Sequence, residues 1–509
     1  MAPPLDRRRF LASAAGWASA AGLSAAADLG KARTISIFHT TDLHGRIVPT
    51  STYEGLDDVG GLARCATCIR QWRRESPHSL TVDVGDLVQG TPESLRNDGR
   101  LMVDLLGRLG YDAWTLGNHD FDWGPERTEA LLTASQPTVL SANLARGDRA
   151  VGDLDGAWGR VRRWTVREVG GFRIGLVGLI TPGLPFWLPA ETLGGIVPRD
   201  PAETLRQAVA EVRAEKVDAV VVLGHMGWRF NDDYANPVRS LLGDVPGVDV
   251  YLAGHSHQHQ PTWMLHHALL SQAGYFGIHC GRVDLTFDLD SRKLVDRRAF
   301  TLLMDDRFAL DPLVMELSRG DRDAAATDLG REVATVTREI DGKGRGSGLA
   351  RLLCELFAAA LAKQGLRVDG VFHGTFATGN LRPGPLTVGD CWRIIPYENR
   401  LVTAEVTVAD LLAILAEDAE VKDSDRTLWP FEVVKDEQGA ARGLIVAGAA
   451  VDPTRRLKVA FNSYDAQSGG RRLMRLRELL AAPAARCTLS AIDTRSALIE
   501  GLLDRGTVG

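Results

Sequence analysis

The sequence predicts an α/β protein, with a layered α/β domain followed by an α+β unit. Three observations predict it. From residue 34 to about residue 288, short β-rich runs alternate with helical runs, which argues for stacked layers of sheet and helix. Polar residues cluster directly after the β-rich runs, where open α/β sheets carry their ligands. A glycine-dense stretch, Asp341-Gly342-Lys343-Gly344-Arg345-Gly346-Ser347-Gly348, then reads as a hinge or loop before a second set of elements.

The elements follow in chain order. Strands are expected at residues 34–38, 80–84, 172–179, 219–223 and 249–253, with helices between them at 61–75, 99–109 and 201–215. Residues 300–345 begin as helix. Beyond the glycines, residues 349–361 and 408–417 read as helices and 370–372 and 457–461 as strands. No fixed-period repeat is present. The expected organisation is a leader at 1–27, a first domain at 33–300, a linker at 301–348 and a second domain at 349–509.

Length and composition bound the function. A chain of 509 residues exceeds one ordinary core, since domains typically run to about 100–200 residues. Net charge is -6 with no basic stripe, which argues against a nucleic-acid polymer as partner. Arg7-Arg8-Arg9-Phe10-Leu11 is a twin-arginine pattern, and a small-residue apolar run to Ala27 follows it. That run is too short for a comfortable membrane span, and Ala25-Ala26-Ala27 suits cleavage. The expectation is export in the folded state to the periplasm, with no integral span in the mature chain. Cys65 and Cys68 lie one helical turn apart without a second zinc-like pair, so they read as buried helical residues.

Five polar clusters carry the chemistry. They are Thr41-Asp42-Leu43-His44-Gly45, Gly85-Asp86-Leu87-Val88-Gln89-Gly90, Gly117-Asn118-His119-Asp120-Phe121-Asp122, Gly224-His225-Met226-Gly227 and Gly254-His255-Ser256-His257. A single histidine after a strand is commonly structural. Five such clusters in order, each after a strand, form a ligand set of Asp42, His44, Asp86, Asn118, His225, His255 and His257. Their oxygen and nitrogen donors suit zinc, manganese, iron or cobalt. One shared aspartate brings the set to the count needed for two divalent ions roughly 3.5–4 Å apart.

These clusters resemble the five signature blocks of calcineurin-like metallophosphoesterases, and the downstream half is similar to the C-terminal domain of the 5′-nucleotidase family. The resemblance implies a four-layer α/β/β/α domain, a linking helix and a C-terminal substrate domain. It implies that Asp42, His44, Asp86 and His257 hold one metal, and that Asp86, Asn118, His225 and His255 hold the other. His119 would be the catalytic histidine and Asp122 the carboxylate that orients it; Asp120 reads equally as a supporting carboxylate.

The second half departs from the family pattern. Gly384-Pro385-Leu386-Thr387-Val388-Gly389-Asp390 and Ile395-Pro396-Tyr397-Glu398-Asn399 match it, but the family's asparagine and phosphate-gripping arginine fall in register on His373 and Thr378. Arg382 or Arg400 is the expected substitute. In Asn462-Ser463-Tyr464-Asp465-Ala466-Gln467-Ser468-Gly469-Gly470, Tyr464 resembles the aromatic that stacks on the nucleobase, with Phe431 or Trp429 as its partner. The function implied is hydrolysis of a phosphate monoester, nucleotides foremost. The alternatives are a cyclic-nucleotide phosphodiesterase, a thiosulfohydrolase, or a catalytically silent metal-binding surface protein.

Overall fold

The computed structural model describes residues 31–375 and 379–509; the expected leader at 1–27 and Thr378 lie outside them. The first unit contains β1 (Ala32–Thr40), α1 (Leu62–Glu75), β2 (Ser79–Asp83), α2 (Arg100–Arg108), β3 (Ala113–Thr115) and β4 (Thr138–Leu140). It continues with β5 (Trp164–Val169), β6 (Phe172–Ile180), α3 (Pro201–Ala214), β7 (Ala219–His225) and β8 (Val250–Ala253). It closes with β9 (His259–Leu265), β10 (Ala268–Ala273), β11 (His279–Asp288) and β12 (Leu294–Leu303).

Two six-stranded sheets result. The first has the order β12-β11-β1-β2-β3-β4 and the second β9-β10-β8-β7-β6-β5. Strands β1 to β4 run parallel, as do β6, β7 and β8.

Side-chain alternation explains the layering. On β1, Ile35 and Ile37 face the second sheet, while Phe38 points the other way into the core beneath α1. On β7, Ala219, Val221 and Leu223 face the first sheet, while Val220 and Val222 pack on Leu205, Val209 and Val212 of α3. Each strand is therefore apolar on both faces, as expected of parallel strands covered on both sides. Each fully buried Val, Leu or Ile contributes about 1.5–3 kcal/mol. The layers are helix, sheet, sheet, helix. Cys65 and Cys68 are buried in the core between α1 and the first sheet, together with Cys280, and all six cysteines are free thiols.

The second unit is an α+β fold. Its main sheet has the spatial order Thr427–Trp429, Gly370–His373, Arg456–Asn462, Arg400–Thr407, Thr488–Asp493. Helices Gly348–Lys363 and Thr494–Arg505 share its main core with residues of that sheet.

The expected linker at 301–348 is corrected in part. Residues 301–303 are still β12, and Pro312–Leu317 sends Val314 into the first core. Glu332–Val336 already pairs with Gly384–Thr387 in the second unit. The glycine-dense stretch belongs to that unit too. Ile340 bridges to Leu381, the Asp341 carboxylate accepts the Gly348 N–H at 2.9 Å, and Ser347 caps the following helix. Its polar side chains thus fold it onto a helix start, so the connection between units is made by the helices at 312–329. No helix among the described residues is long and apolar enough to cross a membrane.

Gly178 on β6 lies against Leu140 of β4 in the other sheet. A Cβ there would stand 2.5 Å from the Cβ of Leu140 on β4. Gly178→Ala is expected to destabilise the first unit by about 1–3 kcal/mol, read as a lower Tm with the circular-dichroism spectrum of the folded state retained.

Candidate metal centre and active site

The ligand-type residues sit at the C-terminal ends of five strands drawn from both sheets. Asp42 and His44 follow β1, Asp86 follows β2, Asn118 follows β3, His225 ends β7, and His255 and His257 follow β8. The chain must turn sharply at these points. Asp42, His44, Asp86, His255 and His257 all have left-handed backbones, with φ of 50°, 48°, 52°, 68° and 55°. Such conformations cost of order 1–3 kcal/mol each and persist only where the surroundings over-determine them. Here backbone bonds do so: Asp42 N–H to Gly85 O and His44 N–H to Asp86 O, both at 2.9 Å.

Two groups of donors converge, Asp42, His44, Asp86 and His257 in one and Asp86, His225 and His255 in the other, with the donor atoms of each within 4.8 Å of one another. Asp86 belongs to both, its Oδ2 lying 3.7 Å from His44 Nε2 and 3.1 Å from His225 Nε2. The ring orientations are fixed from behind. His44 Nδ1 donates to Gln89 O at 2.9 Å and His225 Nδ1 to Val84 O at 2.7 Å, so both Nε2 atoms face the centre. Asn118 lies at the start of a one-turn 3₁₀ helix, and its buried Oδ1 has no hydrogen-bond partner among the described residues. His44 Nε2 and His257 Nε2 face each other at 3.1 Å. An orphaned carbonyl oxygen, facing imidazole nitrogens and buried carboxylates form a donor set that fits divalent cations.

The electrostatics agree. Burial pushes His44 and His255 down to about 3, leaving neutral imidazoles with a free lone pair. Burial favours the neutral form of Asp86, but the His225 and His119 rings outweigh it and hold its carboxyl well below the usual range.

His119 lies beside this cluster. Its Nδ1 is 2.7 Å from Asp122 Oδ2, and its backbone N–H donates to Asp86 Oδ1 at 2.8 Å. Burial disfavours the charged ring, but Asp122 and Asp86 overcome that and raise it to about 10. Asp120 is a supporting carboxylate. It is buried and accepts backbone N–H bonds from Gly117 at 2.8 Å, Asp86 at 3.1 Å, Leu87 at 2.9 Å and Val88 at 3.2 Å.

A cleft of about 860 Å³ opens over Asn118, His119, His255 and His257 and continues between the two units. Tyr464 and Arg400 line it. The flanking segment of Tyr464 is a one-turn helix, Ser463–Ala466, capped by the Asn462 side chain. Three expected substrate residues are not brought there. Phe431 packs against the core of the second unit, with its ring against Gly370. Arg382 is exposed outside the cleft, because the pairing of its neighbour Leu381 with Ile340 holds that segment elsewhere. Trp429 likewise packs against the core around Gly348–Lys363. The His373 position is buried, with Nδ1 3.1 Å from Asn462 Nδ2.

Sequence reasoning missed several cleft residues, Tyr234 among them. Tyr397 stacks on His119 with ring centroids 5.6 Å apart; its signal was the matched stretch 395–399. Trp187 stands 5.1 Å from His255, and Arg472 lines the far wall; neither had a local signal.

Two sheets with five ligand clusters at their strand ends define a metallophosphoesterase-type domain. Residues 35–259 match the calcineurin-like phosphoesterase family model, and this segment is a domain of that kind. The chain is 33% identical over 228 residues to the 5′-nucleotidase of Bos taurus, spanning 44% of this chain and 38% of that protein; it thus spans well under half the length of that relative. A probable 5′-nucleotidase of Treponema pallidum is 25% identical over 460 residues, covering 76% of this chain and 75% of that one. The crystal structure of a 5′-nucleotidase precursor from Thermus thermophilus superposes with a TM-score of 0.71 at 23% identity, covering 94% of this chain and 97% of that one. The two-unit architecture is therefore shared.

Asp120→Ala removes the acceptor of four backbone N–H groups at the heart of the site. It is expected to cost about 3 kcal/mol of stability, measured by denaturant unfolding. An unchanged unfolding midpoint would show that those N–H groups find other partners.

Proposed function

We propose that the protein is an exported dinuclear-metal phosphoesterase that hydrolyses phosphate monoesters, nucleotides foremost, to free phosphate. One observation carries the reading: a single buried carboxylate, Asp86, is common to two converging donor groups, with the His119–Asp122 pair directly beside it. The twin-arginine pattern at Arg7-Arg8-Arg9 and the apolar run after it support export.

In this reading Asp42, His44, Asp86 and His257 hold one divalent ion, and Asp86, Asn118, His225 and His255 the other. When bound, the ions polarise the phosphoryl oxygens and supply an attacking hydroxide at neutral pH. The remaining work falls to the chain. Asp122 accepts from His119 Nδ1 and fixes the ring. The proton on His119 Nε2 then faces the cleft, where it meets developing charge and passes to the leaving alkoxide oxygen. Asp122 is the carboxylate with the largest pull on His119, ahead of Asp86. Tyr397 and Tyr464 line the cleft from the second unit and offer aromatic faces to a nucleobase, each worth about 1–3 kcal/mol by stacking.

Chelation is expected to abolish phosphate release from nucleotides, with manganese, zinc or cobalt restoring it. Full turnover in a verified metal-free preparation would overturn the reading. Metal binding without turnover on any ester would favour a silent binding protein.

His119→Asn is expected to keep the metal stoichiometry of the parent while lowering kcat by roughly 10²–10⁴-fold. Metal analysis beside steady-state kinetics checks this, and loss of an ion would exchange the ligand and acid roles.

A further inference from the structure

The cleft extends past the ligand cluster to a wall of which the hydrolytic reading uses only the Tyr464 ring. Trp187 stands beside His255, and its Nε1 donates to Tyr234 Oη at 3.2 Å. Tyr464 reaches the same wall from the second unit. The three polar atoms converge on Gly470. A Cβ at that position would stand 3.1 Å from Tyr464 Oη, 3.2 Å from Tyr234 Oη and 3.3 Å from Trp187 Nε1. Gly470 has φ of +71°, a conformation that disfavours a side chain, and the closeness of the three atoms leaves no room for one; the recess is the part of the cleft that these groups line, with the two tyrosine hydroxyls at its edge and the Trp187 N–H engaged by Tyr234.

Arg472 lies two residues further along and lines the same cleft. It is exposed, and no carboxylate pairs with it among the described residues. Its acidic neighbours are engaged elsewhere. Asp465 takes Arg426 in a two-pronged bond at 3.0 and 2.8 Å. Asp233 accepts the backbone N–H groups of Ala235 and Asn236, both at 2.8 Å, and lies 3.5 Å from Arg229. A guanidinium offers five donors and no acceptor, and its planar fork suits carboxylate and phosphate. An unpaired one beside hydroxyl donors therefore has its natural complement in an anion.

The wall is built from both units, and their contact is fixed close by. Ser468 Oγ donates to Phe186 O at 3.2 Å, and Arg477 Nη1 to Pro185 O at 2.8 Å. Arg471 lies over the rings of Phe186 and Tyr234, 5.3 Å from each centroid.

We infer that Trp187, Tyr234, Tyr464 and Arg472 form a second anion subsite, which selects phosphomonoesters carrying a second anionic group, such as nucleoside bisphosphates. One phosphate occupies the metal-ligand cluster and the other this recess. The identity of the reaction rests on the phosphoesterase reading; the binding preference does not. Hydroxyls alone would suit a neutral sugar, and it is Arg472 that makes the recess anion-selective.

The test compares adenosine 5′-monophosphate with adenosine 3′,5′-bisphosphate. Hydrolysis is followed with the metal-loaded protein, and binding by calorimetry with chelator-treated protein, for the parent, Arg472→Gln and Tyr234→Phe. The parent is expected to favour the bisphosphate about tenfold in both kcat/KM and Kd, the scale of one charge-assisted contact. Arg472→Gln is expected to lower the bisphosphate about tenfold more than the monophosphate, and Tyr234→Phe to act in the same direction by less. No preference in the parent, or an equal effect of Arg472→Gln on both nucleotides, overturns the subsite. If neither nucleotide is hydrolysed with any metal, yet the bisphosphate binds more tightly through Arg472, the hydrolytic reading falls and the subsite stands.

Discussion

The structure depends on the placement of one negative charge. Asp86 is buried at the point where strand ends from two sheets meet, within 3.7 Å of one imidazole nitrogen and 3.1 Å of another. A buried carboxylate is costly unless paired, and here it is surrounded by donors. His119 N–H bonds one of its oxygens, and the Asp86 backbone is tied to Asp120 and His44. The left-handed turns at five ligand positions follow from the same demand. Each strand must end, reverse and aim a side chain at one spot, and regular strand geometry cannot do that.

The four layers serve this convergence. The sheets pack through the strand faces that carry Ile35, Ile37, Val221 and Leu223, which brings the C-terminal ends of β1, β2 and β3 against those of β7 and β8. Neither sheet alone presents both donor groups. Asp42 shows the coupling directly, since it follows a strand of the first sheet and accepts the backbone N–H of His255 from the second at 3.0 Å.

The second unit completes the site from above. Arg495 holds the turn at 395–399 through Ile395 O and the Glu398 carboxylate, both at 2.7 Å. Gln89, in the second ligand cluster, reaches across to Pro396 O at 3.2 Å and Glu398 at 3.0 Å. The cluster that positions Asp86 is thereby linked to the turn that lays Tyr397 on His119.

The sequence by itself determined the α/β alternation, the five ligand clusters and the His119–Asp122 pair. These features are local. A strand followed within a few residues by Asp-x-His or Asn-His is visible in one window, because the strand dictates where the next side chains emerge. Tertiary structure alone decided which residues of the second unit face the cleft. Phe431 and Arg382 have the right chemistry, yet the strands flanking Phe431 and the Ile340–Leu381 bridge beside Arg382 turn them to a core and to the surface. Trp187 and Tyr234 of the first unit are joined by a hydrogen bond across 47 residues, and Arg472 reaches their side of the cleft only when the two units dock through Phe186, Ser468 and Arg477. A motif reports the backbone that carries it, whereas a cleft wall is assembled from side chains whose proximity is fixed by packing between distant segments.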